Sequence, residues 1–527
     1  MLFTSVRFAV FTGVLIVLYH ILPRKFRWPL LLLASYLFYA TWDKRYLIFI
    51  SVTSLSAWLC GLFIAWTNEG TKALIAGKAD ITKEEKKAVK EKGKGRIRAF
   101  MLVTVLLNLG ILAVTKYTNF AIENINNLMG AAGALKAVDI LIPMGISFYT
   151  FRTVSYVIDC ARGTTVPEKN PFKVMLFTSF FPQLVQGPIS RWNDLSKTLF
   201  SGNNAGYEGF LDGFMRILWG YAKKLIVADR MIVAVNCLIK NPDKYYGAYV
   251  FCAMMFYALE LYCDFTGGTD ITIGIAKCLG IDIKENFNLP YFSKNIKEYW
   301  NRWHITMGSW FTDYIFYPLS VSPRMLKLSK WSRQHLGNAV GKRVTVYLSC
   351  FLVWLATGIW HGAAWNFVVW GLLNFAVIMI SQELEPLYAR FHGRFGFKEK
   401  NWYKIFEILR TILLMSMIRM LDCYRNVPLT FKALGTMFTK FSFKVFSDGS
   451  LLGLGLSLKD YIVLGVSTCI LLAVSIVKAR SGRNMREILR ERFPLYCASC
   501  AVLFVAIVIL GCYGKGYDAT QFIYNQF

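Results

Sequence analysis

The chain has 527 residues, of which 55% are hydrophobic, 16% aromatic and only 17% charged, where a soluble domain carries roughly a quarter charged residues. With a mean hydropathy of +0.41 this excludes an ordinary soluble domain, and apolar runs able to span a bilayer recur about eleven times. The net charge of +28 does not point to nucleic acid. Its basic residues gather in short stretches between apolar runs, at 24–27, 72–98, 324–343 and 478–492, and no motif that reads RNA or DNA accompanies them.

In chain order, the first apolar run (5–22) meets Pro23, Arg24, Lys25 and Arg27 with no small-residue cleavage site before them, so it reads as a retained helix. The mixed-charge stretch 72–98 carries Asp80, Glu84, Glu85 and Glu91 among its lysines, the pattern of a solvated helical hairpin or a disordered loop. The positive-inside rule keeps this basic loop (68–99) cytoplasmic. Counting spans from it puts the N-terminus and the tail 514–527 outside, with residues 1–527 forming one integral-membrane domain. All these basic patches also suit attraction to anionic membrane lipid.

Several segments then hold polar residues at membrane depth. Arg152 and Asp159 stand seven apart, on one helical face, and are expected to pair directly or through a third group. In FFPQLVQGPISR (180–191), Pro182, Gly187 and Pro188 beside Gln183 and Gln186 predict broken backbone lining a cavity. Glu260 and Asp264, at i and i+4, suit a proton site, a cation site or ion pairing with Arg216, Lys223 and Lys224; pairing is the expectation, since intramembrane charges usually neutralise one another.

Two of the five histidines fall in such segments. In YWNRWHITMGSWFTDY (299–314), read as one helix, Trp300, Trp303, Met307, Trp310 and Tyr314 form a stripe typical of an interfacial helix. His304 stands beside it, with Gly308 leaving a gap one turn on. In TGIWHGAAWNFVVWG (357–371), His361 lies between Gly358 and Gly362, which should thin or break the helix and admit a substrate to the ring. His361 is the leading candidate for a catalytic base, against the plainer reading of a histidine bonded to a neighbouring helix. The twelve cysteines are scattered, mostly in apolar runs, and suggest neither a zinc site nor a disulfide framework.

These blocks occur in an order that resembles the membrane-bound O-acyltransferase (MBOAT) family, and within it the bacterial branch that O-acetylates alginate and other surface polysaccharides. The resemblance is carried by IPMGISFYTFRTVSYVIDCARG from residue 142, FFPQLVQGPI from 180, YCDFTGGTDITIGIAKCLGI from 262, ENFNLPYFSKNIKEYWNRWHITMGSWFTDYIFYPL from 285, TGIWHGAAWNFVVWG from 357 and FIYNQF at 522–527. It implies an all-α polytopic membrane protein, about eleven transmembrane helices with re-entrant and interfacial helices around a central funnel. It places the catalytic histidine on His361 and a second important histidine on His304. FIYNQF is also similar to the ending of a small partner protein in teichoic-acid D-alanylation, where a tyrosine relays the acyl group; that role would fall on Tyr524. Trp303, Asp313, Trp360, Asn366 and Gln186 are the expected substrate contacts, with no metal and no bound cofactor.

The implied reaction moves an acyl group, acetyl from acetyl-CoA above all, from a cytoplasmic thioester across the bacterial plasma membrane to a hydroxyl. The acceptor hydroxyl belongs to Tyr524, to an extracytoplasmic SGNH-type acyltransferase partner, or to a lipid or polysaccharide. D-alanyl transfer from a carrier protein to teichoic acid is the nearest rival. An ion-coupled transporter using Arg152, Asp159, Glu260 and Asp264 is the rival from another class.

Overall fold

The computed structural model describes residues 1–78, 80–130 and 135–513. Among them the protein is all-α, its one β feature an isolated antiparallel bridge between Phe287 and Trp303. Packing divides the chain into two compact units, Met1–Leu211 with Ile275–Lys284, and Asp212–Gly274 with Glu285–Phe527.

The first unit contains α1 (Val6–Ile21), α2 (Arg24–Ala40), α3 (Tyr46–Ala76), α4 (Lys83–Met129), α5 (Ile146–Arg162), α6 (Pro171–Ser179) and α7 (Trp192–Leu199). The second holds most of α8 (Gly206–Tyr221), then α9 (Asp229–Lys240), most of α10 (Ala248–Cys278), α11 (Ile296–Arg302), α12 (Ile305–Phe311) and α13 (Tyr317–Ser320). It continues through α14 (Pro323–His361), α15 (Trp365–Glu383), α16 (Glu385–Phe395), α17 (Asn401–Tyr424), α18 (Val427–Thr439), α19 (Leu458–Ser481), α20 (Met485–Arg490) and α21 (Phe493–Leu510).

Seven of these helices, α3, α4, α10, α14, α15, α19 and α21, are long and apolar enough to cross a bilayer, and the chain is a multi-pass membrane protein. Against the expected count of about eleven, other apolar runs form shorter helices: α1 has 16 residues and α2 has 17 with Pro29 inside it.

Of the two readings of the 72–98 stretch, the helical hairpin is the one observed. α3 runs to Ala76 and α4 starts at Lys83, where Thr82 and Glu85 form a reciprocal capping box that fixes the turn. In the first unit, Arg152 is buried and donates to the Phe177 carbonyl at 3.1 Å. The expected pairing with Asp159 is not made: the guanidinium turns to a carbonyl freed at the end of α6, and its Nε and Nη2 have no hydrogen-bond partner among the described residues. The 180–191 segment has the irregular backbone its prolines predict, with a short 3₁₀ turn at Phe181–Gln183 and Gly187 at φ 150°. There Gln183 donates to the Pro188 carbonyl at 2.9 Å and to Ser190 Oγ at 2.7 Å.

In the second unit, α14 reverses direction at Gly337, whose φ of 77° and ψ of 161° only glycine adopts readily. The basic stretch 324–343 therefore wraps a tight helical hairpin. Between α8 and α9 the helix widens into a π segment, Ala222–Ala228, which brings two successive lysines onto α10. Lys223 reaches Asp270 at 2.6 Å, and Lys224 binds both Asp264 and, at 2.7 Å, Asp229. Arg216 completes the set, bonding Asp270 at 2.8 Å and both oxygens of Glu285 at 2.6 Å. The ion-pairing expectation for Asp264 is met.

Lys224 and its two carboxylates are at most 2% exposed, so removing the cation strands two buried charges. Lys224→Ala should cost about 3–5 kcal/mol and show a clearly lower melting temperature in detergent, whereas Lys224→Arg should retain most of it. An alanine variant that melts with the wild type would mean the pairing is dispensable.

Candidate active site

Three of the five histidines are accounted for locally. His20 Nε2 bonds the Cys278 carbonyl at 2.9 Å, His335 Nδ1 the Trp331 carbonyl at 2.8 Å, and His392 Nε2 the Tyr403 hydroxyl at 2.9 Å. The other two, His304 at 1% and His361 at 8% exposure, are buried in one cluster of aromatic rings.

His304 is held by an interruption that the helical reading of 299–314 does not anticipate. α11 stops at Arg302, and His304 takes a left-handed conformation (φ 50°, ψ 51°) before α12 begins. The cause lies 18 residues upstream. The Asn286 carbonyl accepts from Ile305 N at 2.9 Å, Asn288 N donates to the Arg302 carbonyl at 3.0 Å, and Phe287 bridges Trp303. These cross-chain bonds replace a turn of helix, and the aromatic stripe is split. Trp303, Met307, Trp310 and Tyr314 are all buried, so the interfacial-helix reading is corrected: the rings pack inside the protein.

The side chain of Asn286 fixes the imidazole. Its Oδ1 accepts from Thr306 N at 3.1 Å and Thr306 Oγ1 at 2.8 Å and meets His304 Nδ1 at 3.2 Å. A backbone N–H only donates, so the Asn286 atom is an oxygen and Nδ1 carries the proton, leaving the lone pair on Nε2. His304 lies outside the candidate membrane spans. Burial, with the Arg419 guanidinium adding to it, lowers its pKa to about 3, so the ring is neutral at physiological pH.

His361 is the last residue of α14, and Gly362 leaves the helix in an extended conformation. The space at the flanking glycines is not open to a substrate as expected. A Cβ on Gly358 would fall 2.5 Å from the Phe367 carbonyl, one on Gly371 2.5 Å from the Trp354 carbonyl, and one on Gly362 2.2 Å from the Phe367 ring. These glycines let α14 and α15 touch backbone to backbone, which aims His361 inward.

Trp360 joins the two histidines. Its ring centroid lies 6.2 Å from His304 and 5.0 Å from His361, edge to face in both cases. Trp370 abuts His361 at 4.7 Å, and Phe265 of α10 abuts His304 at 4.9 Å. Behind them the buried Arg419 of α17 sits over Trp300, Trp303 and Trp370 at 5.5, 5.2 and 5.0 Å and pairs with Asp422 at 3.0 Å. A cation over three indoles locks those rings in place.

The structure thus brings together His304, His361, Trp303 and Trp360. Asn366 serves the frame, donating to the Leu421 carbonyl at 3.2 Å, and Asp313 is exposed at the start of the next π segment. Gln186 is buried in the first unit, and Tyr524 lies outside the described residues. Sequence reasoning missed Asn286, Trp370, Arg419 and Asp422; the last pair was visible as opposite charges at i and i+3 in the apolar C-terminal half of α17. A cavity of about 340 Å³ borders the cluster's frame, lined by Asn236, Lys240, Tyr257, Glu260, Asp422 and Arg425. Glu260 Oε2 and Asp422 Oδ1 have no hydrogen-bond partner among the described residues.

Comparison with known proteins decides what carries this cluster. The family model for membrane-bound O-acyltransferases matches residues 168–423. A probable alginate O-acetylase of Pseudomonas syringae pv. tomato is 34% identical over 369 residues, 68% of this chain and 62% of that protein. The chain belongs to the membrane-bound O-acyltransferase family. A peptidoglycan O-acetyltransferase of Helicobacter pylori is 26% identical over 69% of this chain and 66% of its own length. A teichoic acid D-alanyltransferase of Bacillus subtilis is 30% identical over 45% and 58%. The chain spans about 62% of the length of the first of these relatives. Within this MBOAT chain, both buried histidines, Asn286, Trp370 and Arg419 fall inside the matched residues, while α18 to α21 lie beyond them.

The buried state of His304 has a pH signature. The unfolded chain takes up a proton near pH 6.5, whereas the folded ring takes one only near pH 3. Its contribution to stability is therefore complete above pH 6.5 and lost as pH falls toward 3. Between pH 7.5 and 5.5 the wild type should lose on the order of 1 kcal/mol through this group, and thermal unfolding of His304→Gln should show a shallower pH slope. Parallel slopes would contradict a neutral buried ring.

Proposed function

We propose that this protein transfers an acyl group, best read as acetyl, from a cytoplasmic thioester donor to a hydroxyl acceptor that modifies an extracellular or cell-wall polysaccharide. The observation that carries this reading is the pair of buried histidines meeting through Trp360, with His304 presenting the unprotonated Nε2 of a neutral ring, inside an MBOAT chain.

In this reaction the acceptor O–H adds to the thioester carbonyl, the C–S bond breaks, and the hydroxyl proton ends on the departing thiolate. Imidazoles suit such a transfer because their unperturbed pKa lies near neutrality. His361 is the base that takes the proton. His304, fixed as the Nδ1–H tautomer, accepts a hydrogen bond at Nε2 and orients the incoming group or passes the proton on. The cavity beside Glu260 and Asp422 is the acceptor-side approach: Asp422 holds Arg419, Arg419 covers Trp370, and Trp370 abuts His361. Acetyl-CoA is the donor class, and the acceptor hydroxyl reaches the site on the polysaccharide or on an extracytoplasmic SGNH-type partner. The bacterial plasma membrane is the setting.

Acetyl is favoured over D-alanyl because the acetylating relatives match 68% and 69% of the chain and the D-alanylating one 45%. Ion-coupled transport has less support, since Lys224 engages Asp264 and Arg152 bonds a carbonyl.

Purified protein in vesicles, given labelled acetyl-CoA, should release coenzyme A and label an acceptor. His361→Ala should lower turnover by roughly 10²–10⁴-fold with an unchanged melting temperature. Retention of full turnover in that variant, or solute flux without acyl turnover, would remove the assignment.

A further inference from the structure

A cavity of about 470 Å³ in the second unit is built apart from the two histidines. One end is polar, formed by Arg216, Lys223, Lys478, Asn484 and Arg486 with Asp270 and Glu285. The rest is an apolar wall supplied by α19 and α21, including Ile470, Val474, Leu495 and Val502. These two are the least buried of the seven candidate membrane spans, with only Leu464 and Tyr496 respectively buried along their lengths, so the wall is made by helices that themselves face lipid.

Ion pairing at the polar end is incomplete. Asp270 and Glu285 engage Arg216, Asp270 also engages Lys223, and Asp212 engages Arg486 at 2.5 Å. Arg216, Lys223 and Arg486 thus each meet a carboxylate, whereas Lys478, half-buried, has no ion-pair partner among the described residues. A second group is also unsatisfied: Thr269, 2% exposed, lines the cavity, and its Oγ1 has no hydrogen-bond partner among the described residues. Lys478 opens the basic stretch 478–492, the kind of sequence that lies at the cytoplasmic headgroup level. From Lys478 back to Ile470 the α19 wall runs about 12 Å toward the bilayer interior.

We propose that this cavity is a binding site for an anionic phospholipid of the cytoplasmic leaflet. The singly charged phosphodiester sits at Lys478 and Arg486 and gives Lys478 the anionic partner it lacks. An acyl chain lies along Val474 and Ile470 against α21. The site joins two parts of the chain: α19 to α21, which supply Lys478, Arg486 and the apolar wall, lie beyond the residues matched by the family model, while Arg216, Lys223, Thr269, Asp270 and Glu285 lie within them. Bound lipid fills the gap between those helices and α10.

The test is native mass spectrometry of the detergent-purified full chain titrated with phosphatidylglycerol, in parallel with phosphatidylcholine. The expected result is preferential retention of phosphatidylglycerol, weakened about fivefold in Lys478→Gln and kept in Lys478→Arg. Val474→Trp, which fills the wall without changing charge, should weaken it as well. Unchanged melting temperatures are expected for Lys478→Gln, since no ion pair is broken. Equal binding by wild type, Lys478→Gln and Val474→Trp would overturn the proposal. So would displacement of the lipid by equimolar coenzyme A, which would assign the phosphate chemistry to the thioester donor instead. Lipid binding is read without any acyl turnover, so its outcome is separate from that of the acyltransferase assignment.

Discussion

Matching of charge inside the helix bundle is the constraint on which the second unit rests. A lysine or carboxylate in an apolar interior costs several kcal/mol unless it meets its opposite, and here α8 and the π segment present Arg216, Lys223 and Lys224 to Asp264 and Asp270 on α10, with Asp229 of α9 also on Lys224. A regular helix would turn successive lysines 100° apart; the widened turn over Ala222–Ala228 lets both reach the same neighbour. Small residues let the pair close. A Cβ on Gly220 would lie 2.7 Å from the Gly267 carbonyl, and one on Gly267 2.9 Å from the Gly220 carbonyl. α10 is thereby held in register, and its Phe265 forms one wall of the His304 pocket.

The second determinant is that both histidines sit at helix ends. His304 caps α12 and His361 closes α14. A side chain in mid-helix shares its surroundings with the turns above and below, whereas one at a terminus projects into space that the backbone has left. Here that space is walled by indoles, and Arg419 behind three of them supplies fixed positive potential without a hydrogen-bonding contact to either imidazole in the set described above. The arrangement keeps the rings apolar in surroundings and rigid in position, which suits the proton-transfer role proposed for them.

The sequence made the membrane character and the two histidines legible because both are local facts: apolar runs of sufficient length, and titratable residues written into them. It did not reveal the break at His304, since the bonds that cause it come from Asn286 and Asn288, distant in the chain. The same limit explains the glycines around His361. Their spacing said that something approaches closely, and only the fold says that it is α15 and not a substrate. Arg152 and Asp159 share a helical face in the sequence, yet the carbonyl freed at the end of α6 is the acceptor the arginine takes. Asp264 was readable because its basic partners lie on a neighbouring run and buried charge has few ways to be satisfied. Gln186 was picked out as a polar residue in apolar context and Asn366 as an expected substrate contact, and Asn366 also braces α17 through the Leu421 carbonyl.

α4 carries a geometric consequence of its own. Its 47 residues make a rod about 70 Å long, while the hydrocarbon core of a bilayer is about 30 Å thick. With α3 beside it for 31 residues, the pair stands well clear of the headgroups as a stiff mast studded with lysine and glutamate.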